Sequence, residues 1–242
     1  MGRKESKIHR WASRSLGIIF FALSSQYLIS SPIDHHQERF EDVALKIWEY
    51  AELGYLEEKS SSLLQQELKD SGFTIQSGVA GIPTAFIAEY NNGGPVLGIL
   101  GEFDALPGLS QQNVPFKTAE GLSSANGHAC GHHLFGAASA WAVVAIKDWL
   151  EESGTPGTIR FYGTPAEEGG SGKVYIARDG YFDDVDIVLH WHPASGNSAD
   201  AQSSNSNKSG KFTFSGISAH AASAPEKGRS ALDGVEAMNM MV

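Results

Sequence analysis

The sequence has little cysteine and a deficit of basic residues, and each shortage excludes a class of protein. It contains one Cys among 242 residues, so an internal disulfide is impossible and the disulfide framework of small secreted domains is excluded. Lys and Arg together number 18 against 28 Asp and Glu, which gives a formal net charge of −10. Because an acidic chain has no broad electrostatic attraction for nucleic acid, we expect no nucleic-acid partner.

Several common catalytic motifs are also missing. The sequence contains no H-E-x-x-H and no C-x-x-C. Its Gly-rich stretch at 169–173 lacks the final Gly of a nucleophile elbow and the Ser or Thr that ends a phosphate-binding loop. Serine catalysis and phosphate cradling are therefore disfavoured.

The first 33 residues form a basic and apolar leader. Its apolar run at 16–23 is far shorter than the roughly 20 residues that a membrane-spanning helix needs, so we expect no stable membrane span. The basic start, short apolar core and small residues of the leader resemble an export signal, although Glu5 is atypical of one. Two localisations stay open: cytoplasmic, or exported if the leader is a signal peptide.

Hydrophobic patterning beyond the leader predicts an α/β fold with a mixed sheet flanked by helices. Helices are predicted at 40–51, 63–68, 132–150 and 173–178, and strands at 73–79, 84–90, 96–103, 158–163 and 186–192. The run at 96–103 is apolar enough to be buried on both faces, which predicts an interior strand. Ligands of such sheets gather at the carboxyl ends of the strands.

A change of composition divides the chain after this pattern. Residues 195–209 are rich in Ser, Asn, Ala and Gly without periodicity, which is typical of a flexible crossing. We predict a leader at 1–33, a main domain at 34–207 and a second unit at 208–242. The second unit offers one alternating strand at 210–218 and one helix at 229–242, which cannot enclose a core.

Cys130 and His132 are candidate metal ligands because they lie two residues apart on a Gly-rich turn. Glycine lets the backbone fold a thiolate and an imidazole toward one cation. Taken alone, Cys130 would be interpreted as a buried, inert thiol, because free cysteines are commonly buried. The neighbouring His132 reverses that preference.

Polar side chains follow three predicted strands. Glu167 and Glu168 can have different roles, because consecutive residues of an extended segment point in opposite directions. Without other ligands nearby, a pair of Glu residues would be interpreted as a solvated surface turn. His190 and His192 share a face, and a hydrogen-bonded core histidine is the alternative for either. Asp104 can ligate a metal or orient a ligating imidazole.

Five motifs, in order along the chain, resemble the metallo-amidohydrolase family that includes aminoacylases, auxin-conjugate hydrolases and zinc carboxypeptidases. They are EFDALP (102–107), GHACGH (127–132), AEEGG (166–170), WHP (191–193) and SAHAA (218–222). The resemblance runs from about residue 41 to the end of the chain. It implies a zinc-peptidase-like catalytic domain followed by the start of a small α+β lid or dimerisation domain.

The resemblance further implies which residues carry the chemistry. The implied ligands of two divalent metal ions, Zn or Mn, are Cys130, His132, Glu168 and His192. His192 is favoured over His190 because it precedes a proline. Glu167 is implied to be the general base and His220 a substrate-binding residue. Asp104, from its position at a strand end, is named as a second catalytic residue.

The implied activity is hydrolysis of amide bonds in N-acyl amino acids or p-aminobenzoyl-glutamate-like substrates, and a homodimer is expected for the full-length family. Two features depart from the family pattern. His133 stands where relatives carry Asp or Asn, and the chain stops at Val242 where relatives continue to a final His ligand. The alternative hypothesis is a truncated, catalytically inactive homologue that serves as a metal-binding or assembly module.

Overall fold

The structure is a computed structural model that describes residues 33–116, 118, 125–199, 203, 205–206 and 208–242. The predicted leader lies outside these residues except for its last position. Among the described residues, no helix combines the length and apolar character that a bilayer crossing requires. The chain divides into two compact units, Met1–Ser195 and Gly196–Val242. The predicted domain boundaries at 34–207 and 208–242 stay predictions.

The described part of the first unit is built of helices and one five-stranded sheet. In chain order its elements are α1 (Gln37–Tyr50), α2 (Glu58–Asp70), β1 (Thr74–Ser77), β2 (Phe86–Asn91), β3 (Val96–Gly101), α3 (His132–Ser153), β4 (Thr158–Gly163), α4 (Glu167–Gly170), α5 (Gly172–Arg178) and β5 (Ile187–Leu189). The strand order is β1-β2-β4-β3-β5. Strands β1, β2 and β4 pair antiparallel, whereas β3 is parallel to both β4 and β5. The predicted mixed sheet is confirmed.

Strand β3 lies inside the sheet, as its apolar sequence predicts. Its neighbouring residues Ile99 and Leu100 face opposite sides because side chains alternate along a strand. Ile99 belongs to the larger apolar core, which includes residues of α1, α2 and α3, and Leu100 belongs to a smaller core with Tyr162 and Ile176 of α5. Helices therefore cover both faces of β3.

Helix α3 begins at the residue that sequence analysis named as a metal ligand. Gly131 precedes the helix with φ of 78°, a left-handed conformation that side chains disfavour. The helix then runs from His132 to Ser153, close to the predicted 132–150. His132 is thereby placed in the first turn, where the chain leaves the sheet edge.

Two predicted strands differ from the structure. Strand β5 covers only Ile187–Leu189, because the chain then turns so that His190 and Trp191 pack against Phe135 of α3. The predicted strand at 210–218 is wrong. Alternation alone does not make a strand without a paired neighbour, and this segment makes a single bridge, Ile217 with Arg229. The described part of the second unit also contains the predicted helix, α6 (Ala231–Met241).

Candidate metal centre

The carboxyl ends of β3, β4 and β5 point the same way, because these three strands are parallel. The chain beyond β3 carries the carboxylates at 102 and 104, the chain beyond β4 carries those at 167 and 168, and the chain beyond β5 carries the imidazoles at 190 and 192. The first turn of α3 adds His132 at the same edge. The structure therefore brings these polar side chains to one edge of the sheet, as the sequence predicted.

His132 is fully buried between two carboxylates. Its Nδ1 donates a hydrogen bond to Oδ1 of Asp104 at 2.9 Å, and its Nε2 lies 2.9 Å from Oε2 of Glu102. Both carboxylates reach the same ring because they are two residues apart in an extended segment. Burial alone lowers the pKa of His132, but the nearby carboxylates of Asp104 and Glu102 outweigh burial and raise this pKa to about 10, which favours a positive charge between the ring and Glu102.

Three buried polar atoms at this edge lack a hydrogen-bond partner among the described residues: Nε2 of His132, Oε2 of Glu102 and Oε1 of Glu168. When Nδ1 carries the proton of a neutral imidazole, Nε2 is an acceptor and faces the acceptor oxygen of Glu102. Two acceptors 2.9 Å apart repel each other unless a proton or a cation lies close to both. The arrangement therefore fits a bound cation.

The donor atoms fall into two groups that share His132. Cys130, His132 and His192 form one group, and Glu102, His132 and Glu167 form the other, with the donor atoms of each group within 4.8 Å of one another. Thiolate, imidazole and carboxylate are the ligands that Zn²⁺ takes in proteins, and carboxylate and imidazole also serve other divalent ions. Two overlapping donor groups of these types fit a pair of divalent metal ions.

Glu168, a predicted ligand, lies beside both groups. Its Oε1 is 4.0 Å from Nε2 of His132, and its backbone N–H donates to Oδ2 of Asp104 at 2.9 Å. Burial first, and then the nearby carboxylate of Glu168, raise the pKa of the Cys130 thiol to about 11. A bound cation would oppose that effect, because it favours the thiolate.

Glu102 was not singled out from the sequence, although the EFDALP motif contains it. It is 2% exposed, and its Oε1 accepts a hydrogen bond from Lys173 and lies 3.4 Å from Nε2 of His190. Burial raises the pKa of Glu102, but His132, His190 and Lys173 together lower it. The two-residue spacing from Asp104 at a strand end was the signal that could have identified Glu102.

The two histidines after β5 have different neighbours. His192 joins the donor group of Cys130, and its ring centre is 5.5 Å from that of His132. His190 contacts Glu102 instead. Between them, Nε1 of Trp191 donates to Oγ of Ser139 on α3 at 2.9 Å, which anchors this segment. The ligand role of His192 stays a prediction that this placement supports.

His133 and His220 complete the set of residues named from the sequence. The His133 ring lies 5.2 Å from that of His128, and burial lowers the pKa of both to about 4. His133 thus packs beside another neutral imidazole.

His220 belongs to the second unit, where its Nδ1 accepts hydrogen bonds from the backbone N–H groups of Ala222 and Ser223 at 3.2 Å. Its substrate-binding role stays a prediction.

A mixed α/β sheet with overlapping thiolate, imidazole and carboxylate donors at one edge defines a catalytic domain of the zinc-peptidase type. Comparison with protein families agrees: residues 98–219 match the model of peptidase family M20/M25/M40. The chain belongs to this family, which confirms the resemblance drawn from its motifs.

The chain is also similar in sequence to individual known proteins. The chain is 45% identical to one subunit of the p-aminobenzoyl-glutamate hydrolase of Escherichia coli (strain K12), over 87% of this chain and 44% of the relative. It is 29% identical to the other named subunit of that hydrolase, over 76% of this chain and 52% of the relative. The chain thus spans about half the length of these relatives.

Among solved structures, the chain is similar to a dinuclear metal-binding peptidase of the M20 family from Bacillus subtilis. The two share 25% sequence identity with a TM-score of 0.55, and the match covers 66% of this chain and 44% of that one. The two donor groups around His132 agree with the dinuclear metal binding of that peptidase.

Proposed function

We propose that this chain carries the metal centre of an amidohydrolase that cleaves amide bonds in N-acyl amino acids or p-aminobenzoyl-glutamate. One observation carries the proposal: Nε2 of His132 and Oε2 of Glu102 face each other, buried and without a hydrogen-bond partner in the described part of the chain, where two donor groups overlap. The 45% identity to one chain of a p-aminobenzoyl-glutamate hydrolase supports the substrate class.

Cys130, His132, Glu168 and His192 would hold two divalent metal ions, Zn or Mn. The thiolate favours Zn, and the neighbouring carboxylates are compatible with Mn. When bound, such ions lower the pKa of water and polarise a carbonyl group. The other tasks of amide hydrolysis fall to side chains of this chain.

Glu167 would be the general base. Its side chain is 46% exposed, in contrast to the buried His132 and Glu102, so it can reach both water and substrate. Burial and the nearby charge of Glu102 raise the pKa of Glu167, which strengthens its carboxylate as a base. Oε2 of Glu167 would take a proton from the attacking water and then give that proton to the nitrogen of the leaving amine.

Asp104 would act by orientation. Its Oδ1 accepts a hydrogen bond from Nδ1 of His132, and its Oδ2 accepts one from the backbone N–H of Glu168. One carboxylate thereby sets the direction of a ligating imidazole and the start of the turn that carries Glu167 and Glu168. Orienting hydrogen bonds of this kind tune the affinity of metal sites.

The family match and the hydrolase relatives do not favour the alternative of a module that only binds metal.

We further propose that a second chain of the same family takes part in the active protein. Its support is that two of the relatives are named as the two different subunits of one hydrolase. Light scattering of the purified protein would separate a self-association from a monomer that awaits a different chain.

The activity is tested with the purified chain, added Zn²⁺ or Mn²⁺, and p-aminobenzoyl-glutamate, with chromatographic detection of p-aminobenzoate. We expect product that depends on added metal and disappears with a chelator. Absence of product at high protein concentration, while metal is measurably bound, would contradict hydrolysis by this chain. N-acetylglutamate as a second substrate tests whether the aromatic acyl group is required.

A further inference from the structure

Glu57 is a fully buried carboxyl group that belongs to neither donor group of the metal centre. It precedes α2, far along the chain from the turn after β4. Its Oε1 accepts a hydrogen bond from the backbone N–H of Ala166 at 2.8 Å, and its Oε2 accepts one from the hydroxyl of Thr84 at 3.0 Å. Both oxygens of this carboxyl group are thus engaged inside the protein.

The backbone that Glu57 holds is in an unfavourable conformation. Ala166 has φ of 57° and ψ of 43°, the left-handed region that residues with a side chain disfavour. Ala166 is 1% exposed and immediately precedes Glu167, the proposed base. A strained residue persists only where its surroundings hold it, and the hydrogen bond from Ala166 to Glu57 is one such contact.

Neighbours of Glu57 in the chain support the same turn. A Cβ atom at Gly54 would lie 3.0 Å from Cα of Ala166, so this part of the chain packs directly against Ala166. The hydroxyl of Tyr55 donates to the carbonyl oxygen of Gly170 at 2.6 Å. The segment 54–57 therefore contacts both the beginning and the end of the turn at 166–170.

We propose that Glu57 is a positioning residue that holds the 166–170 turn in the geometry that directs Glu167 and Glu168 to the metal centre. The proposal rests on the proposed function for the role of Glu167, but the hydrogen bond to Ala166 is independent of it. Glu57 acts through the backbone and does not itself touch substrate or metal.

Three variants separate positioning from a general contribution to stability. Glu57→Ala removes both hydrogen bonds. Glu57→Gln keeps an oxygen for the N–H of Ala166 and adds an amide that can donate to Thr84. Ser61→Ala is the matched control, since Ser61 is buried on the neighbouring helix and its hydroxyl donates to the carbonyl oxygen of Thr84 at 2.8 Å without touching the turn.

The first readout is amide hydrogen exchange of the peptide covering 164–170. We expect faster exchange in Glu57→Ala, and exchange like that of the unaltered chain in Glu57→Gln and Ser61→Ala. The second readout is the hydrolysis of p-aminobenzoyl-glutamate. In Glu57→Ala kcat should fall about 10- to 100-fold with little change in KM, because small displacements of a catalytic group cost rates of that order.

Unchanged exchange in Glu57→Ala, or equally fast exchange in Ser61→Ala, would overturn the positioning role. Should Glu57→Ala fail to fold, Glu57→Asp replaces it, because its carboxyl group is one methylene too short to reach Ala166 and the same two readouts are expected to change. If the unaltered chain is inactive while the exchange pattern follows expectation, the proposed function fails and the positioning role stands.

Discussion

Nδ1 of His132 donates a hydrogen bond to Oδ1 of Asp104 at 2.9 Å, and both side chains are buried. The bond leaves Nε2 of His132 as the free nitrogen and turns it toward Glu102, Glu167 and Glu168. An imidazole held in this way has a fixed tautomer and a fixed direction, which are the conditions for a metal ligand.

We predict that Asp104→Ala weakens Zn²⁺ binding by about 10- to 100-fold, the usual effect of removing a residue that orients a ligating histidine. The measurement is competition with a chromophoric chelator. The control is Asp184→Ala, since Asp184 pairs with Arg160 outside the donor groups. Equal affinities of the two variants would show that the bond to His132 does not support metal binding.

Glu167→Gln should lose hydrolysis of p-aminobenzoyl-glutamate by about 100- to 10,000-fold, because the amide cannot accept a proton from water. Bound metal, measured by elemental analysis, should stay as in the unaltered chain. Glu151→Gln serves as the control, since Glu151 pairs with Lys147 on the surface of α3. A Glu167→Gln protein with an undiminished rate would remove Glu167 from the base role.

His192→Ala and His190→Ala are expected to differ. His192 lies in the donor group of Cys130 and His132, whereas His190 contacts Glu102. Loss of a direct ligand should lower Zn²⁺ affinity more than loss of a neighbouring histidine, and titration with Zn²⁺ measures both. A larger loss in His190→Ala would reverse the assignment of the ligand.

The buried carboxyl group of Glu57 should make folding stability depend on pH. Burial raises the pKa of Glu57 in the folded protein above its ordinary value of 4.5. The folded state then binds the Glu57 proton more tightly than the unfolded state, so this group's contribution to stability falls as the pH rises from 4.5 through the raised pKa. Glu57→Gln removes that contribution.

Urea unfolding of both proteins between about pH 4 and pH 7 measures the difference. We expect the stability of Glu57→Gln relative to the unaltered chain to increase across this range. A relative stability that stays constant with pH would mean that Glu57 has the same pKa in the folded and unfolded states.

Local sequence was sufficient to predict the helices and strands whose own residues carry a clear hydrophobic pattern. The apolar run that became β3 and the helix that begins at His132 were located correctly, because burial on two faces and helical periodicity are properties of neighbouring residues. The strand at 210–218 failed for the complementary reason, since a strand also needs a partner that its own residues do not specify.

Local sequence was not sufficient for the contacts between distant segments. Glu102 contacts His132 across 30 positions and Glu57 contacts Ala166 across 109. Glu57 carries no mark in its own neighbourhood that distinguishes it from a surface glutamate, and the spacing of Glu102 from Asp104 does not specify that Glu102 faces His132. Their burial depends on how β3, α3 and the turn after β4 pack together.

The sequence by itself determined the family, the mixed α/β fold and the motifs from which Cys130, His132, Glu167, Glu168 and His192 were named. Only the tertiary structure decided that Glu102 faces His132, that His190 and His192 have different neighbours, and that Glu57 accepts a hydrogen bond from Ala166. The physical reason is that residue type and spacing set which donors a chain offers, whereas the packing of parallel strands and helices sets which of them come within hydrogen-bond distance.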